Sequence, residues 1–137
     1  MSVLARFGIS LEKDLLHKFD TLITKKGYTN RSEAIRDLIR EDLVRKSWVA
    51  GKEGVGTITM VYNHHQRELT GKLTDIQHDY HEDILSTQHI HLDHDNCLEV
   101  VIVSGRPARI DELTNKLRAC RGVKHCSLSI TSSGRNL

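Results

Sequence analysis

Residues 4–46 read as a single alternating strand followed by two amphipathic helices, and a lone strand has no neighbour inside such a unit. Ala5, Phe7, Ile9 and Leu11 alternate with Arg6, Gly8 and Ser10, giving one apolar face and one small or polar face. Leu15, Leu16, Phe19, Leu22 and Ile23 then follow helical spacing, and Gly27 suits the C′ position that ends a helix. Asn30 suits the N-cap of a second helix, with Glu33 three residues on as in a capping box. Ala34, Ile35, Leu38, Ile39 and Leu43 form the second stripe. A strand's backbone groups must be paired, and about 45 residues bury little core. The unit therefore needs a partner, most simply a second copy whose strand pairs antiparallel around a two-fold axis.

The chain has 137 residues, enough for one ordinary domain or two small ones, and its 38% hydrophobic content supports modest cores. Aromatics make up only 4%, which argues against a large aromatic ligand pocket. No apolar run approaches the ~20 residues of a membrane span, and no charged leader precedes a long apolar segment. Cys97, Cys120 and Cys126 are too few, and odd in number, for a disulfide framework. A cytoplasmic protein is expected. Residues 1–47 hold ten Lys/Arg against seven Asp/Glu, while eight of the nine histidines lie beyond residue 60. That asymmetry divides the chain into a basic head, residues 1–47, a Gly-containing hinge, 48–56, and a histidine-rich module, 57–137. Trp48 is the one apolar anchor in the hinge and is expected to pack on a helix end.

In the second module Thr57 to Asn63 alternates as a strand, and Leu69, Leu73 and Ile76 have helical spacing. Ile84 to Leu92 and Cys97 to Val103 form two strands around an Asp-His-Asp-Asn turn. Pro107 suits the first turn of a helix carrying Ile110, Leu113 and Leu117; Gly122 ends it, and Val123 to Ile130 is a last strand. The order βαββαβ is ferredoxin-like, the arrangement of regulatory ACT domains. The expected fold class is α+β.

Within that hairpin His89 and His91 are two residues apart and share a face. Cys97 returns near them after the turn. Two imidazoles and a thiol are ligands for Zn, Ni or Cu. A fourth ligand would complete a four-coordinate site, and His64, His65, His78, His81 and His94 are candidates. Planar placement of such a set suits Ni(II) or Cu(II), tetrahedral placement zinc. His17, His65, His94 and His125 otherwise read as surface histidines, and Cys120 and Cys126 as packing residues.

The run Gly27-Tyr28-Thr29-Asn30-Arg31-Ser32-Glu33-Ala34-Ile35-Arg36-Asp37 resembles the ribbon-helix-helix repressors. The resemblance implies an intertwined dimer whose two-stranded ribbon enters the major groove of DNA. It places Arg6, Gly8 and Ser10 on the base-reading face; Gly8 departs from the family, which usually has a polar side chain there. The amides near Asn30, Arg31 and Ser32 would meet a phosphate, helped by the helix dipole, with Arg31 and Arg36 beside them. Together with Gln77-His78, His89-x-His91 and Cys97-Leu98-Glu99, nearly the whole chain resembles the NikR family of nickel-responsive repressors. That resemblance implies a homotetramer, a dimer of dimers, with one Ni(2+) per subunit at the tetramer interface. His89, His91 and Cys97 of one subunit and His78 of its neighbour would be the ligands. It places Tyr62 and Glu99 near the site, and His64, Gln77 and His81 near positions of additional metal binding. Glu33 and Asp37, four apart, would help bind a cation in the DNA-bound state. The implied partner is a palindromic double-stranded operator.

Two other classes compete with a nickel-gated repressor. One is a metal-independent ribbon-helix-helix regulator that uses a His-rich domain only to oligomerise. The other is a metal-dependent enzyme, disfavoured because four ligands close the coordination shell and no nucleophile motif or phosphate loop is present.

Overall fold

The computed structural model describes residues 3–135 and Leu137. Two compact units divide the chain, residues 1–40 and 41–137.

In the first unit α1 spans Lys13–Lys25 and α2 begins at Arg31. Gly27 has φ +89°, and around it the Gly27 amide reaches the Thr24 carbonyl (3.1 Å) and the Tyr28 amide the Ile23 carbonyl (3.0 Å). This is a Schellman ending, which needs the left-handed conformation that glycine adopts freely. Asn30 caps α2, its Oδ1 accepting the Glu33 amide at 2.9 Å. The second half of the expected capping box takes another form: Glu33 accepts the Thr29 hydroxyl at 3.4 Å. Residues 5–11, expected as a strand, form no hydrogen-bonded strand within the described residues. The reason is the one that made the segment informative: nothing in the unit offers it a ladder. Among the described residues of this unit only Ile23 and Ala34 are buried, while Phe7, Leu15, Leu22, Leu38 and Ile39 are half-exposed or more.

The helix α2 continues to Val49, and the next element, β1, spans Gly54–Asn63. The segment expected as a hinge is thus mostly regular structure, with an irregular turn only over 50–53. Gly54 and Gly56 lie inside β1, opposite Gly105 and Val103. Close approach explains Gly54: a methyl group there would sit 2.6 Å from the Trp48 ring and 3.2 Å from Pro107. Trp48 packs, as expected, where a helix begins.

The second unit continues with α3 (Leu69–Asp79), β2 (Ile84–His91), β3 (Asn96–Gly105), α4 (Pro107–Arg118) and β4 (Val123–Thr131). This is the expected βαββαβ order. The strands form one antiparallel sheet, β2-β3-β1-β4. The helix α4 lies on β1, β3 and β4, with α3 beside it. The core comprises Ile58, Met60 and Tyr62 of β1, Val101 and Val103 of β3, Leu69 and Leu73 of α3, and Ile110, Leu113 and Leu117 of α4. Gly122 stands four residues past the end of α4, at φ +106°, in the turn to β4 rather than at the helix terminus. Edge strand β2 is exposed along its length apart from Ile84. No helix among the described residues is long and apolar enough to cross a membrane.

Candidate metal centre

Strand register assembles the site. Cys97 stands opposite Tyr62 on one side and His91 on the other, and Glu99 stands opposite Met60 and His89. Directly opposed residues share a face, so His89 and His91 lie on the helix side of the sheet, on the edge strand. Cys97 and Glu99 lie one strand further in, where both are buried.

The Cys97 Sγ is 3.1 Å from His64 Nδ1 and 3.7 Å from His91 Nδ1. His64, His91 and Cys97 offer ligand atoms that all lie within 4.8 Å of one another. His64 thus stands nearer the thiol than the hairpin pattern suggests, brought there by the loop after β1, whose His64 amide bonds the Asp95 carbonyl at 3.0 Å. The His89 ring centroid is 5.3 Å from that of His91. Burial first, then the charges of Glu99 and Asp93, pushes the Cys97 thiol above its ordinary range. Burial, with repulsion from His65, His91 and His94, moves His64 the other way, toward the neutral form that ligates metals.

Behind these groups lies a polar network. Glu99 accepts the Gln77 amide at 2.8 Å, and Gln77 accepts the Thr87 hydroxyl at 3.3 Å. His89 Nδ1 is 3.4 Å from the Tyr62 hydroxyl and 3.7 Å from Glu99 Oε1. A proton on Nδ1 directed at those oxygens leaves Nε2 with a free lone pair for a metal. Burial and the neighbouring Glu99 and Cys97 raise the Tyr62 pKa, so its hydroxyl stays protonated. Tyr62 and Glu99 therefore stand beside His89, and Gln77 holds Glu99 from α3. His78 is exposed on α3, stacked on His81 at 5.7 Å, and does not join the thiol cluster of its own chain.

In the head, Arg31 grips Asp20 with two hydrogen bonds of 2.9 and 2.8 Å, which raises the Arg31 pKa and holds the Asp20 carboxyl below its usual value. Arg31 is thus engaged with α1 rather than open to a phosphate. Asp37 accepts the Tyr28 hydroxyl at 2.6 Å, so both carboxylates expected to bind a cation, Glu33 and Asp37, already take a hydroxyl. Arg6, Ser10 and Ser32 line one groove of the head. A Cβ on Gly8 would meet nothing within 4 Å, so its departure from the family pattern has no steric cause.

A second group escaped the sequence reading. His65, His94 and Asp95 also bring ligand atoms within 4.8 Å of one another. The signal was present: Asn63 and Asn96 are register partners, so the residues beyond each must face one another.

A buried thiol and imidazoles gathered at one edge of a ferredoxin-like sheet, and a separate unit of two helices joined at a Gly-Tyr turn, define a two-module protein with the donor set of a metal site. Residues 55–131 match a family model described as the NikR C terminal nickel binding domain, and residues 5–46 one described as ribbon-helix-helix protein, copG family. A relative from Syntrophus aciditrophicus, named "Putative nickel-responsive regulator", is 57% identical over 98% of each chain. One of the same name from Solibacter usitatus is 55% identical over 100% of this chain and 99% of its own. A third, from Thermococcus kodakarensis, is 53% identical over 96% of each. An uncharacterised Thermotoga maritima protein of known structure shares the fold alone, with a TM-score of 0.54 at 16% identity, covering 59% of this chain and 100% of its own. The chain belongs to the NikR family of nickel-responsive regulators, a family of transcription regulators rather than enzymes.

Proposed function

We propose that this chain is a cytoplasmic repressor that binds palindromic operator DNA as a tetramer when it carries one Ni(II) per subunit. The observation that carries the reading is the register that sets the buried Cys97 thiol opposite His91 of the exposed edge strand β2, with His89 on the same face. His89, His91 and Cys97 would hold the metal with His78 of a second subunit; that residue is exposed and stands outside its own chain's thiol cluster, which leaves it free to serve a neighbour. Ni(II), when bound, would supply a cross-link between subunits.

Two uncovered apolar surfaces support the assembly. In the head, Leu38 and Ile39 are each 51% exposed, and Ile39 lines a groove with residues of the unpaired N-terminal segment. On the sheet face away from the helices, Ile90 and Ile102 are 43% and 39% exposed, beside Leu98 and Val100. Pairing of two 3–12 segments would build the ribbon and present Arg6, Gly8 and Ser10 to base edges, with the α2 amides at Asn30 to Ser32 on the backbone. Arg31 would exchange Asp20 for phosphate.

The tight grouping of His64 with His91 and Cys97 favours a second coordination mode, in which His64 replaces His89 for a metal of tetrahedral preference such as Zn(II). Operator binding measured with Ni(II), with Zn(II) and with neither tests the whole reading. Tight binding is expected with Ni(II) alone; equal binding in all three states would establish a metal-independent regulator instead.

A further inference from the structure

We infer that Arg109 is a positioning residue for the nickel site: from α4 it clasps the buried Asp83 carboxylate and so fixes the end of α3, from which His78 is offered to a second subunit. The inference rests on the reading of His78 as the ligand that a neighbouring subunit receives. A ligand group serves a metal well only when its backbone is held to within about 0.5 Å of the productive place. The His78 side chain is exposed, so whatever holds it must act on the residues around it. On its N-terminal side Gln77 bonds Glu99. On its C-terminal side residues 80–83 carry the chain from α3 to β2 through turn bonds. The His81 amide reaches the His78 carbonyl at 3.2 Å, and the Asp83 amide reaches the Tyr80 carbonyl at 2.9 Å.

That turn is anchored from α4. Arg109 stands in the first turn of α4, a helix seated in the core by Ile110, Leu113 and Leu117. Its Nε donates to Asp83 Oδ2 at 2.8 Å. Its guanidinium carbon lies 4.9 Å from the centre of the Tyr80 ring, and the Lys116 ammonium lies 5.1 Å from the same centre. Cations over an aromatic face are attracted to it. Tyr80, the C-cap of α3, is buried beneath them. Asp83 is buried too, its carboxylate so close to Gly105 that a Cβ there would collide with it, while its carbonyl accepts the Ser104 amide at 2.8 Å. A buried carboxylate stripped of its cation is strongly destabilised unless it finds water. With Gly105 behind it, Asp83 would reach water only by moving the turn that carries it, and the end of α3 with that turn. Arg109 bonds Asp83 rather than a proposed ligand, so its influence on the metal passes through this backbone.

The test is Ni(II) affinity of the full chain, measured by competition with a chelator, in a double-mutant cycle of Arg109→Ala and His78→Ala. Arg109→Ala alone should weaken nickel binding about tenfold. In the His78→Ala background the same change should leave affinity where His78→Ala put it. A merely structural role would weaken both backgrounds equally. Arg109→Lys, which keeps the charge without the planar donor group, should recover part of the loss, and it carries the cycle if Arg109→Ala does not fold. Equal losses in both backgrounds, or no loss in either, would overturn this inference alone. Unchanged affinity in His78→Ala would overturn the reading of His78 as a ligand, and this inference with it.

Discussion

Cys97 combines two properties that usually conflict: it is fully buried, and it faces ligands. Burial raises its pKa, so ligation must expel a proton throughout the neutral range. Nickel affinity should therefore fall as pH is lowered, by roughly tenfold per unit while one proton is exchanged; competition titrations between pH 6 and 8, a range bracketing neutrality chosen on the order of the His and Cys pKa values, check this. Cys97→Ala and His89→Ala should abolish tight nickel binding with the fold retained, whereas Cys120→Ser should leave binding intact, since Cys120 donates only to the Lys116 carbonyl. In the head, Arg6→Ala should cost roughly 1–3 kcal/mol of operator binding for each lost bidentate contact and leave nickel binding unchanged. Gly8 has open space around it, so Gly8→Thr should fold normally and shift sequence preference; a denaturation midpoint and a binding-site selection report the two effects. Asp20 occupies Arg31 as a phosphate would, and Asp20→Ala should strengthen binding to any DNA at the expense of discrimination.

At the scale of elements, periodicity made the second module legible. The strands and helices of the βαββαβ unit follow in the order that alternation and helical spacing gave, although α4 stops at Arg118 and the edge strand β2 is exposed beyond Ile84. The hinge was misread because glycine signals a loop by default. Gly54 leaves room for the Trp48 ring, a close approach visible only in three dimensions. The Gly54→Ala change should cost roughly 1–3 kcal/mol through overpacking, read as a lowered urea midpoint. The start of α3 carries no sequence signal: Glu68 precedes it at φ +66° without a side-chain cap. That His89, His91 and Cys97 share a face was legible from alternation and the turn between their strands. The approach of His64 to the thiol was not, because it depends on a loop tied to a turn 31 positions later by the bond from His64 to Asp95.

At the scale of the molecule, the uncovered stripe of α2 and the open sheet face each call for another copy. Leu38→Asp should weaken head pairing and operator binding together, seen as a fall in sedimentation coefficient, while nickel binding persists. If DNA and nickel favour the same assembly, operator must tighten nickel binding by the factor by which nickel tightens operator binding; unequal factors would refute the coupling. A regulator of this kind also has to endure the intervals when its signal is scarce. Only the thiolate reacts readily with oxidants and alkylating agents. On the proposed reading, a sheet that keeps Cys97 protonated and shut away from solvent until a metal draws its proton off would give the sensor a long shelf life in the waiting state.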